Sequence, residues 1–222
     1  MELQVNWSEI DTILLDMDGT LLDLHYDNYF WRQHLPKIYA DKNKISVAES
    51  MQVLEPLFTD HAGTLNWYCV NFWSEQLELN IMQHKHELID KISYRPDAEL
   101  FLSACRNKVS DLRLITNAHR DVLNLKIQHT QLDQYFDTML CSHELDAPKE
   151  DQRFWQNLQT QQGFDPERSL FIDDSEAVLD AAVDYGIANV MSVKNPDSAN
   201  ERTAPSKYQM IDSFLHLSGE AG

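Results

Sequence analysis

Two aspartates mark the short stretch of this sequence that is best suited to chemistry. Asp16 and Asp18 follow the apolar run 13–15, and Gly19 and Thr20 come next. Carboxyl groups this close raise each other's pKa unless positive charge lies between them, and a divalent metal ion commonly supplies that charge. Oxygen ligands on a loop suit Mg²⁺. Gly19 permits a sharp turn, which we expect the Thr20 hydroxyl to tie. Taken alone, these residues also fit an ordinary surface turn.

Three further polar groups follow apolar runs later in the chain. They are Thr116 with Asn117, Lys149 after a proline, and Asp173 with Asp174. Each alone is typical of a helix start, where hydroxyl, amide and carboxylate side chains cap backbone N–H groups. Together they supply metal-binding carboxylates, a hydroxyl and an amide for phosphate oxygens, and one ammonium group. Phosphoryl transfer requires this combination, because its catalysis depends on positioning and on positive charge.

The elements that must position these residues alternate between strand and helix in the later part of the chain. Apolar runs predict strands at 112–116, 138–141 (the weakest), 169–173 and 189–193. Helix-length segments lie near 98–108, 119–129, 151–162 and 175–185. This alternation indicates an α/β fold with a parallel sheet covered by helices on both faces.

A helical segment interrupts this alternation. Residues 24–95 contain no convincing strand and predict helices at 27–39, 46–60, 64–79 and 84–92. We therefore expect a catalytic core formed by 1–23 and 96–222, with a second, all-helical domain at 24–95. The polar tail after Asn195 is predicted to wrap the surface before a last helix near 210–217.

The four polar motifs resemble those of the haloacid dehalogenase (HAD) superfamily. The matching segments are DMDGT at 16–20, LITN at 114–117, PKED at 148–151 and FIDDS at 171–175. The resemblance implies a Rossmann-like core with an inserted helical cap. Within the superfamily, the chain is similar to bacterial nucleotidases that act on GMP and IMP. The segments that carry this closer likeness are DNYFW at 27–31, TLNWYC at 64–69, PKEDQR at 148–153 and NPDS at 195–198.

The resemblance assigns the acids to two roles. Asp16 would be the nucleophile that becomes an aspartyl-phosphate, and Asp18 the general acid and then the general base. Mg²⁺ would be held by the Asp16 carboxylate, the Asp18 backbone carbonyl and the Asp174 side chain. Asp173 would lie beside the ion or bind it occasionally.

The remaining core motifs would bind the phosphoryl group. Thr116, Asn117 and Lys149 would hold its oxygens, with Lys149 also reducing repulsion between the substrate and the nucleophile. Many relatives carry another acid four residues after the metal-binding aspartate, which this chain lacks. Further support for the metal is therefore expected from Glu176 or Asp180.

The cap is expected to recognise the substrate. Asn28, Asn66 and Tyr68 are candidates for contacts with a purine, because amides read base edges and aromatic rings stack on bases. His119 is either a pocket residue or a structural one. The other aromatic residues at helical spacing are interpreted as cap core, and they are Tyr29, Phe30, Trp31, Trp67, Phe72 and Trp73.

Composition limits the class of partner. The 222 residues carry a formal net charge of −18, which argues against nucleic acid and anionic membranes as ligands. A small phosphate ester such as a purine mononucleotide remains compatible with local positive charge. Three dispersed cysteines, no signal peptide and no membrane span predict a reduced, cytoplasmic protein. Monomer and homodimer both stay open.

Four other functions fit the sequence less well. A phosphatase of the same fold for a sugar phosphate or phosphoglycolate is the main alternative. A hydrolytic dehalogenase is disfavoured because it needs neither Asp18 nor the metal-site acids. An inactive binding module is disfavoured by the presence of Asp16, Asp18 and Lys149. No GxxxxGK[ST] loop occurs, which excludes a P-loop enzyme.

Overall fold

A parallel six-stranded sheet forms the centre of the protein in the computed structural model, which describes residues 5–202 and 204–218. The spatial order is β3-β2-β1-β4-β5-β6, and every neighbouring pair is parallel. The strands are β1 (Thr12–Leu15), β2 (Asp111–Thr116), β3 (Thr138–Cys141), β4 (Ser169–Asp173), β5 (Asn189–Val193) and β6 (Met210–Ile211). This arrangement confirms the predicted α/β fold with a parallel sheet.

Helices cover the sheet and fill the segment between its first two strands. They are α1 (His25–Tyr29), α2 (Leu35–Asn43), α3 (Val47–His61), α4 (Leu65–Tyr68), α5 (Val70–Leu77), α6 (Ile81–His86), α7 (Ala98–Cys105), α8 (Arg120–Thr130), α9 (Gln152–Gln162), α10 (Glu176–Tyr185) and α11 (Leu215–Ser218). Short 3₁₀ turns connect several of them. No helix in the described part of the chain is long and apolar enough to cross a membrane.

The two faces of the sheet bury separate hydrophobic clusters. Ile13 and Leu15 of β1 point into a cluster with residues of α7, α8 and α11, whereas Leu14 points into a cluster with α9 and α10. Side chains alternate along a strand, so a strand that is apolar throughout must be covered on both faces. The continuous apolar runs within β1 and β4, 13–15 and 170–172, have this property, which explains why these two strands lie in the middle of the sheet.

Residues 24–95, which we call the cap segment, are helical in the structure, and their treatment as a separate domain stays a prediction. The predicted helix 27–39 is three pieces, because a π-helix, Phe30–His34, joins α1 to α2. The predicted helix 64–79 is wrong in one respect, since extended backbone at Cys69 divides it into α4 and α5. The segment predicted at 84–92 begins earlier, as α6, and ends in a 3₁₀ turn.

A hydrophobic cluster joins the cap segment to the core. Phe30, Leu54 and Trp73 are almost fully buried in it, and Val122 of α8 packs into the same cluster. Val122, together with Ala118 packed against the same cluster, therefore contributes to the interior of the cap segment from outside it.

The predicted helix at 210–217 is also partly wrong. Met210 and Ile211 form β6 against Ser192 and Val193, and only Leu215–Ser218 is helical. Two apolar residues beside a free sheet edge gain more from pairing with β5 than from starting a short helix, which is marginal by itself.

The topology brings the polar motifs together. The chain leaves β1 towards β2 on one side and later reaches β4 on the other, so the strand order reverses next to β1. In open α/β sheets, ligands bind outside the carboxyl ends of the strands at such a reversal. Asp16 directly follows β1, Thr116 ends β2 and Asp173 ends β4.

Candidate active site

The turn after β1 is held by its own backbone. The amides of Leu21 and Leu22 both donate to the Met17 carbonyl, at 2.9 and 2.8 Å, and the Gly19 amide donates to the Leu22 carbonyl at 2.8 Å. Gly19 has a φ of +86°, the left-handed conformation that favours glycine. The prediction for Thr20 is wrong, because its buried hydroxyl has no hydrogen-bond partner among the described residues. Backbone bonds already satisfy the turn.

Lys149 is the buried cation of the site. It is 2% exposed, and its Nζ donates to Asp16 Oδ1 at 2.5 Å and to Asp173 Oδ2 at 2.6 Å. Its backbone is fixed on both sides, since the Lys149 N–H donates to Asn117 Oδ1 and the carbonyl accepts from Trp155 Nε1, both at 2.9 Å. A solvated lysine at a helix start is therefore excluded.

The third carboxylate of the cluster, Asp174, has no hydrogen-bonded cation among the described residues. Asp173 accepts from Lys149 and from the Ser175 amide at 2.8 Å. The Asp174 carboxylate, by contrast, makes no hydrogen bond or ion pair within residues 5–202 and 204–218. Carboxylate oxygens of Asp16, Asp173 and Asp174 lie within 4.8 Å of one another.

Burial and mutual repulsion raise the pKa values of this cluster. Burial raises the pKa of Asp16 to about 6, with Lys149 opposing the shift and Asp173 adding to it. Burial and the charges of Asp173 and Asp16 raise the pKa of Asp174 well above its ordinary value. One ammonium group thus faces three carboxylates. An all-oxygen set with excess negative charge fits a hard divalent cation such as Mg²⁺.

A second buried lysine holds Asp18. Lys126 Nζ donates to Asp18 Oδ1 and to Asp27 Oδ2, both at 2.5 Å, and Lys85 Nζ donates to Asp27 Oδ1 at 2.8 Å. Burial raises the pKa of Asp18 to about 6, although Lys126 opposes that shift. Neither Lys126, the partner of Asp18, nor the linked pair of Asp27 and Lys85 was predicted. The signal was available, because Lys126 lies on the apolar face of its helix, four residues after Val122.

Thr116 and Asn117 differ in what they can offer a ligand. Thr116 Oγ1 accepts from the Ala118 amide at 3.0 Å, which leaves the hydroxyl proton available to a phosphoryl oxygen. The Asn117 amide already has two protein partners, because it accepts from the Lys149 N–H and donates to Glu150 Oε2 at 3.0 Å. Its side chain orients the lysine backbone, which the sequence did not indicate.

A cavity of about 690 Å³ extends from this cluster into the cap segment. Its floor contains Asp16, Asp18, Thr116, Lys149 and Asp174. Its far wall is formed by aromatic, apolar and a few polar residues of the π-helix, α3 and α4, among them Trp31, Arg32, Glu55, Phe58 and Trp67. The volume and the mixed lining are those of a site for a small organic ligand.

The three cap residues predicted to bind substrate differ in whether they line the cavity and in their hydrogen-bond partners. Asn28 lines the cavity, but its Nδ2 donates to Asp197 Oδ2 at 2.7 Å. Tyr68 lines it too, and its hydroxyl donates to Glu150 Oε1 at 2.6 Å. Asn66 is exposed and lies outside the cavity lining, because α4 turns its neighbours Trp67 and Tyr68 inward instead. The structure therefore does not support substrate contact by Asn66.

His119 is both a pocket residue and a structural residue. It lines the cavity, and its Nδ1 caps α8 by accepting from the Asp121 amide at 3.3 Å. Trp31 and Trp67, interpreted from the sequence as cap core, also form cavity wall.

The acids expected to support the metal from α10 lie elsewhere. Asp180 is bonded to Tyr208 and Lys207 at 2.5 and 2.7 Å, and its side chain is 43% exposed. Neither Asp180 nor Glu176 belongs to the acidic cluster among the described residues. These two predictions are therefore not supported.

Fold and site together define a hydrolase class. A family model described as haloacid dehalogenase-like hydrolase matches residues 13–192, and the chain belongs to this family. The GMP/IMP nucleotidase YrfG of Escherichia coli (strain K12) is 44% identical over 217 residues, covering 98% of each chain. The chain is thus a HAD hydrolase that is homologous to a nucleotidase.

Solved structures share the fold at low sequence identity. A HAD phosphatase from Thermococcus onnurineus has a TM-score of 0.76 at 19% identity, covering 95% of this chain and 97% of that one. A HAD hydrolase from Bacillus subtilis, solved with bound magnesium, has a TM-score of 0.66 at 15% identity with the same coverage. These likenesses show the fold, including the helical segment between β1 and β2.

Replacing Gly19 should disturb Asp174. A Cβ at residue 19 would lie 2.6 Å from Asp174 Cγ, and the φ of +86° strains any other side chain. We expect Gly19→Ala to lower kcat/KM for p-nitrophenyl phosphate about 100-fold, because small displacements of catalytic groups have effects of that order. Gly163→Ala is the matched control, since Gly163 has a φ of +59° with nothing within 4 Å. Equal activities of the two variants would contradict this reading of Gly19.

Asp174 should make stability depend on pH when no metal is added. Burial raises the pKa of Asp16 to about 6, and burial with like charge raises the pKa of Asp174 well above its ordinary value, whereas an unfolded aspartate has a pKa of about 3.9. The folded state therefore binds more protons in this window, and its stability falls as pH rises through it. Asp174→Asn removes one such group. In EDTA, we expect the melting temperature of Asp174→Asn to exceed that of the wild type by more at about pH 7.5 than at about pH 5.

The difference in melting temperature between Asp174→Asn and the wild type at one pH excludes the effect of the other titrating groups, because both proteins contain those groups. The same difference in melting temperature at both pH values would show that Asp174 is not destabilised by burial and like charge.

Proposed function

We propose that this protein is a Mg²⁺-dependent phosphatase that hydrolyses purine nucleoside 5′-monophosphates, with GMP and IMP as substrates. One observation carries the proposal: a single cavity joins the cluster of Lys149 and the carboxylates to an aromatic wall in the cap segment. The phosphate and the base of one nucleotide need those two environments. The likeness to a GMP/IMP nucleotidase over almost the whole chain supports the same assignment.

The proposed nucleophile is Asp16. Its carboxylate oxygen would attack phosphorus and form an aspartyl-phosphate while the bond from phosphorus to the nucleoside 5′-oxygen breaks. Lys149 favours the ionised form of Asp16, because its ammonium group lies 2.5 Å from the carboxylate oxygen. A covalent intermediate of this kind divides one difficult displacement into two easier ones.

Asp18 is proposed to move the protons. It would donate a proton to the departing 5′-oxygen and then accept one from the water that attacks the phosphorus of the intermediate. That water restores Asp16 and releases inorganic phosphate. A pKa of about 6 suits both steps, because an acid that is later a base works best near the ambient pH. Lys126 holds the Asp18 carboxylate in place throughout.

The metal would be held by Asp16 and Asp174, with the backbone carbonyl of Asp18 as a further oxygen ligand. Asp174 is preferred to Asp173 because both Asp173 oxygens already have protein partners, whereas the Asp174 carboxylate has none in the described residues. When bound, Mg²⁺ would supply the positive charge that offsets the acids and the phosphate. Thr116 and Lys149 would contact the phosphoryl oxygens.

The cavity also argues against the alternative substrates. A sugar phosphate or phosphoglycolate would leave the aromatic wall in the cap segment uncovered. A purine is flat and apolar on its faces, and stacking on aromatic rings is a general way of binding it.

The test is a panel of phosphate monoesters with the wild-type enzyme. With Mg²⁺, we expect kcat/KM for GMP and IMP to exceed that for glucose 6-phosphate and phosphoglycolate by about tenfold or more, since base contacts add binding energy that a sugar cannot. EDTA should abolish turnover and excess Mg²⁺ should restore it. Asp16→Asn should lower kcat by at least about 1,000-fold, as for other covalent nucleophiles.

The control for Asp16 is another aspartate at the surface. Asp11 pairs with Arg168 and its side chain is 58% exposed, so Asp11→Asn should retain wild-type turnover. Near-normal turnover by Asp16→Asn would end the mechanistic proposal. Better hydrolysis of the sugar phosphate than of GMP and IMP would end the nucleotidase proposal and leave the family assignment intact.

A further inference from the structure

Two exposed side chains of opposite charge, Arg32 and Glu55, line the cap end of the cavity. Arg32 belongs to the π-helix and Glu55 to α3. Throughout residues 5–202 and 204–218, neither the Arg32 guanidinium nor the Glu55 carboxylate makes a hydrogen bond or an ion pair. Both groups form paired hydrogen bonds in a plane, the guanidinium as donor and the carboxylate as acceptor. They are therefore suited to a flat ligand with polar edges.

The π-helix contributes to this arrangement. Its wide turn places the consecutive residues Trp31 and Arg32 in the lining of one cavity. π-Helices are rare, and they occur frequently at functional sites. Pro36 and Leu54 add buried apolar surface to the lining between α2 and α3.

An aromatic cluster accompanies the two charges. Phe58 lies edge-on to Trp31 and to Trp67, with ring centroids 5.9 and 5.7 Å apart. All three rings line the same end of the cavity as Arg32 and Glu55. Aromatic faces bind any base by stacking, which gives affinity with little discrimination. Discrimination must come from groups that meet the edge of the base.

We propose that Arg32 and Glu55 form a subsite that selects 6-oxopurine bases, an inference that rests on the function proposed above. Guanine and hypoxanthine present an N1–H donor beside the O6 and N7 acceptors. Glu55 would accept from N1–H, and in guanine also from the 2-amino group. Arg32 would donate to O6 and N7, the pairing that arginine makes most often with guanine.

The same two residues disfavour adenine. Its N1 is an acceptor and its 6-position carries an amino donor, so the acceptor Glu55 would face an acceptor and the donor Arg32 would face a donor. Leaving polar groups unpaired in this way is what gives hydrogen-bonding sites their selectivity. The subsite thus accounts for one substrate class containing both guanine and hypoxanthine nucleotides.

The first experiment compares Glu55→Gln with Asp60→Asn on GMP, IMP and AMP. Both variants remove one negative charge from an exposed position of α3, but only Glu55 belongs to the cavity lining. We expect Glu55→Gln to lower the ratio of kcat/KM for GMP to that for AMP by about tenfold or more, since a carboxamide can also pair with adenine. The change should fall mainly in KM. Asp60→Asn should keep the wild-type ratio.

A second experiment tests Arg32 with a modified nucleotide. The 7-deaza analogue of GMP lacks the N7 acceptor. We expect the wild type to bind it more weakly than GMP. Arg32→Met should bind the two equally, because methionine has no donor for N7 and the contact is already lost. Calorimetry in an Asp16→Asn background measures this affinity without turnover.

The outcomes separate this inference from the proposed function. If the wild type hydrolyses GMP and IMP but Glu55→Gln keeps the wild-type ratio of GMP to AMP, the subsite is wrong and the nucleotidase proposal stands. If Arg32→Met still distinguishes GMP from its 7-deaza analogue, the role of Arg32 is wrong. If the wild type hydrolyses no nucleoside monophosphate, both proposals are overturned.

Discussion

A shortage of positive charge at the carboxyl edge of the sheet determines how this site is built. Lys149 lies among Asp16, Asp173 and Asp174, all buried or nearly so, and it pairs with only two of them. Charges taken out of water are costly unless they are paired, so the unpaired carboxylate is unfavourable by itself. Such an arrangement is retained only where the missing charge arrives with a ligand. This constraint explains the affinity that we propose for a divalent cation.

The surrounding structure fixes the positions of these charged groups. Trp155 and Asn117 fix the backbone of Lys149 from two directions. The turn after β1 approaches Asp174 so closely that only glycine fits at residue 19. The strand order places β1 between β2 and β4, so the charged groups converge although they are far apart in the chain.

The contacts between core and cap segment are balanced in charge, unlike the metal-site cluster. Lys126 from the core and Lys85 from the cap segment share Asp27, and Lys126 also binds Asp18. Two ammonium groups thus face two carboxylates in one buried chain. Removing any member would leave a buried charge without a partner, which is costly. The residue that we propose as acid and base is therefore held by the same ion pairs that attach the cap segment.

The sequence predicted most of the core because its signals are local. Apolar runs gave β1, β2, β4 and β5 within a residue or two, and the polar motifs at their ends lie together in the structure. Irregular features were missed: the π-helix, the break at Cys69 and the short β6. These depend on packing and on pairing with distant strands, which no local pattern records.

Partners of the site residues were harder to predict than the residues themselves. Lys126, Glu150 and Asp27 act through contacts with residues more than 30 positions away in the chain. Asn66 looked equivalent to Tyr68 by sequence, yet the turn of α4 separates them. The likeness to a nucleotidase suggested a purine site in the cap segment, and the cavity lining led us to propose Arg32 and Glu55 as its polar residues.

The carboxylates around Lys149 have raised pKa values, and we propose that they bind a divalent cation. Calorimetric titration with Mg²⁺ in buffers of different ionisation enthalpy tests it, because a metal that binds protonated carboxyl groups must displace their protons. The account predicts net proton release on Mg²⁺ binding at about pH 6, and less release at about pH 8, where Asp16 is already ionised. Binding without proton release at the lower pH, or no binding at either, would contradict it.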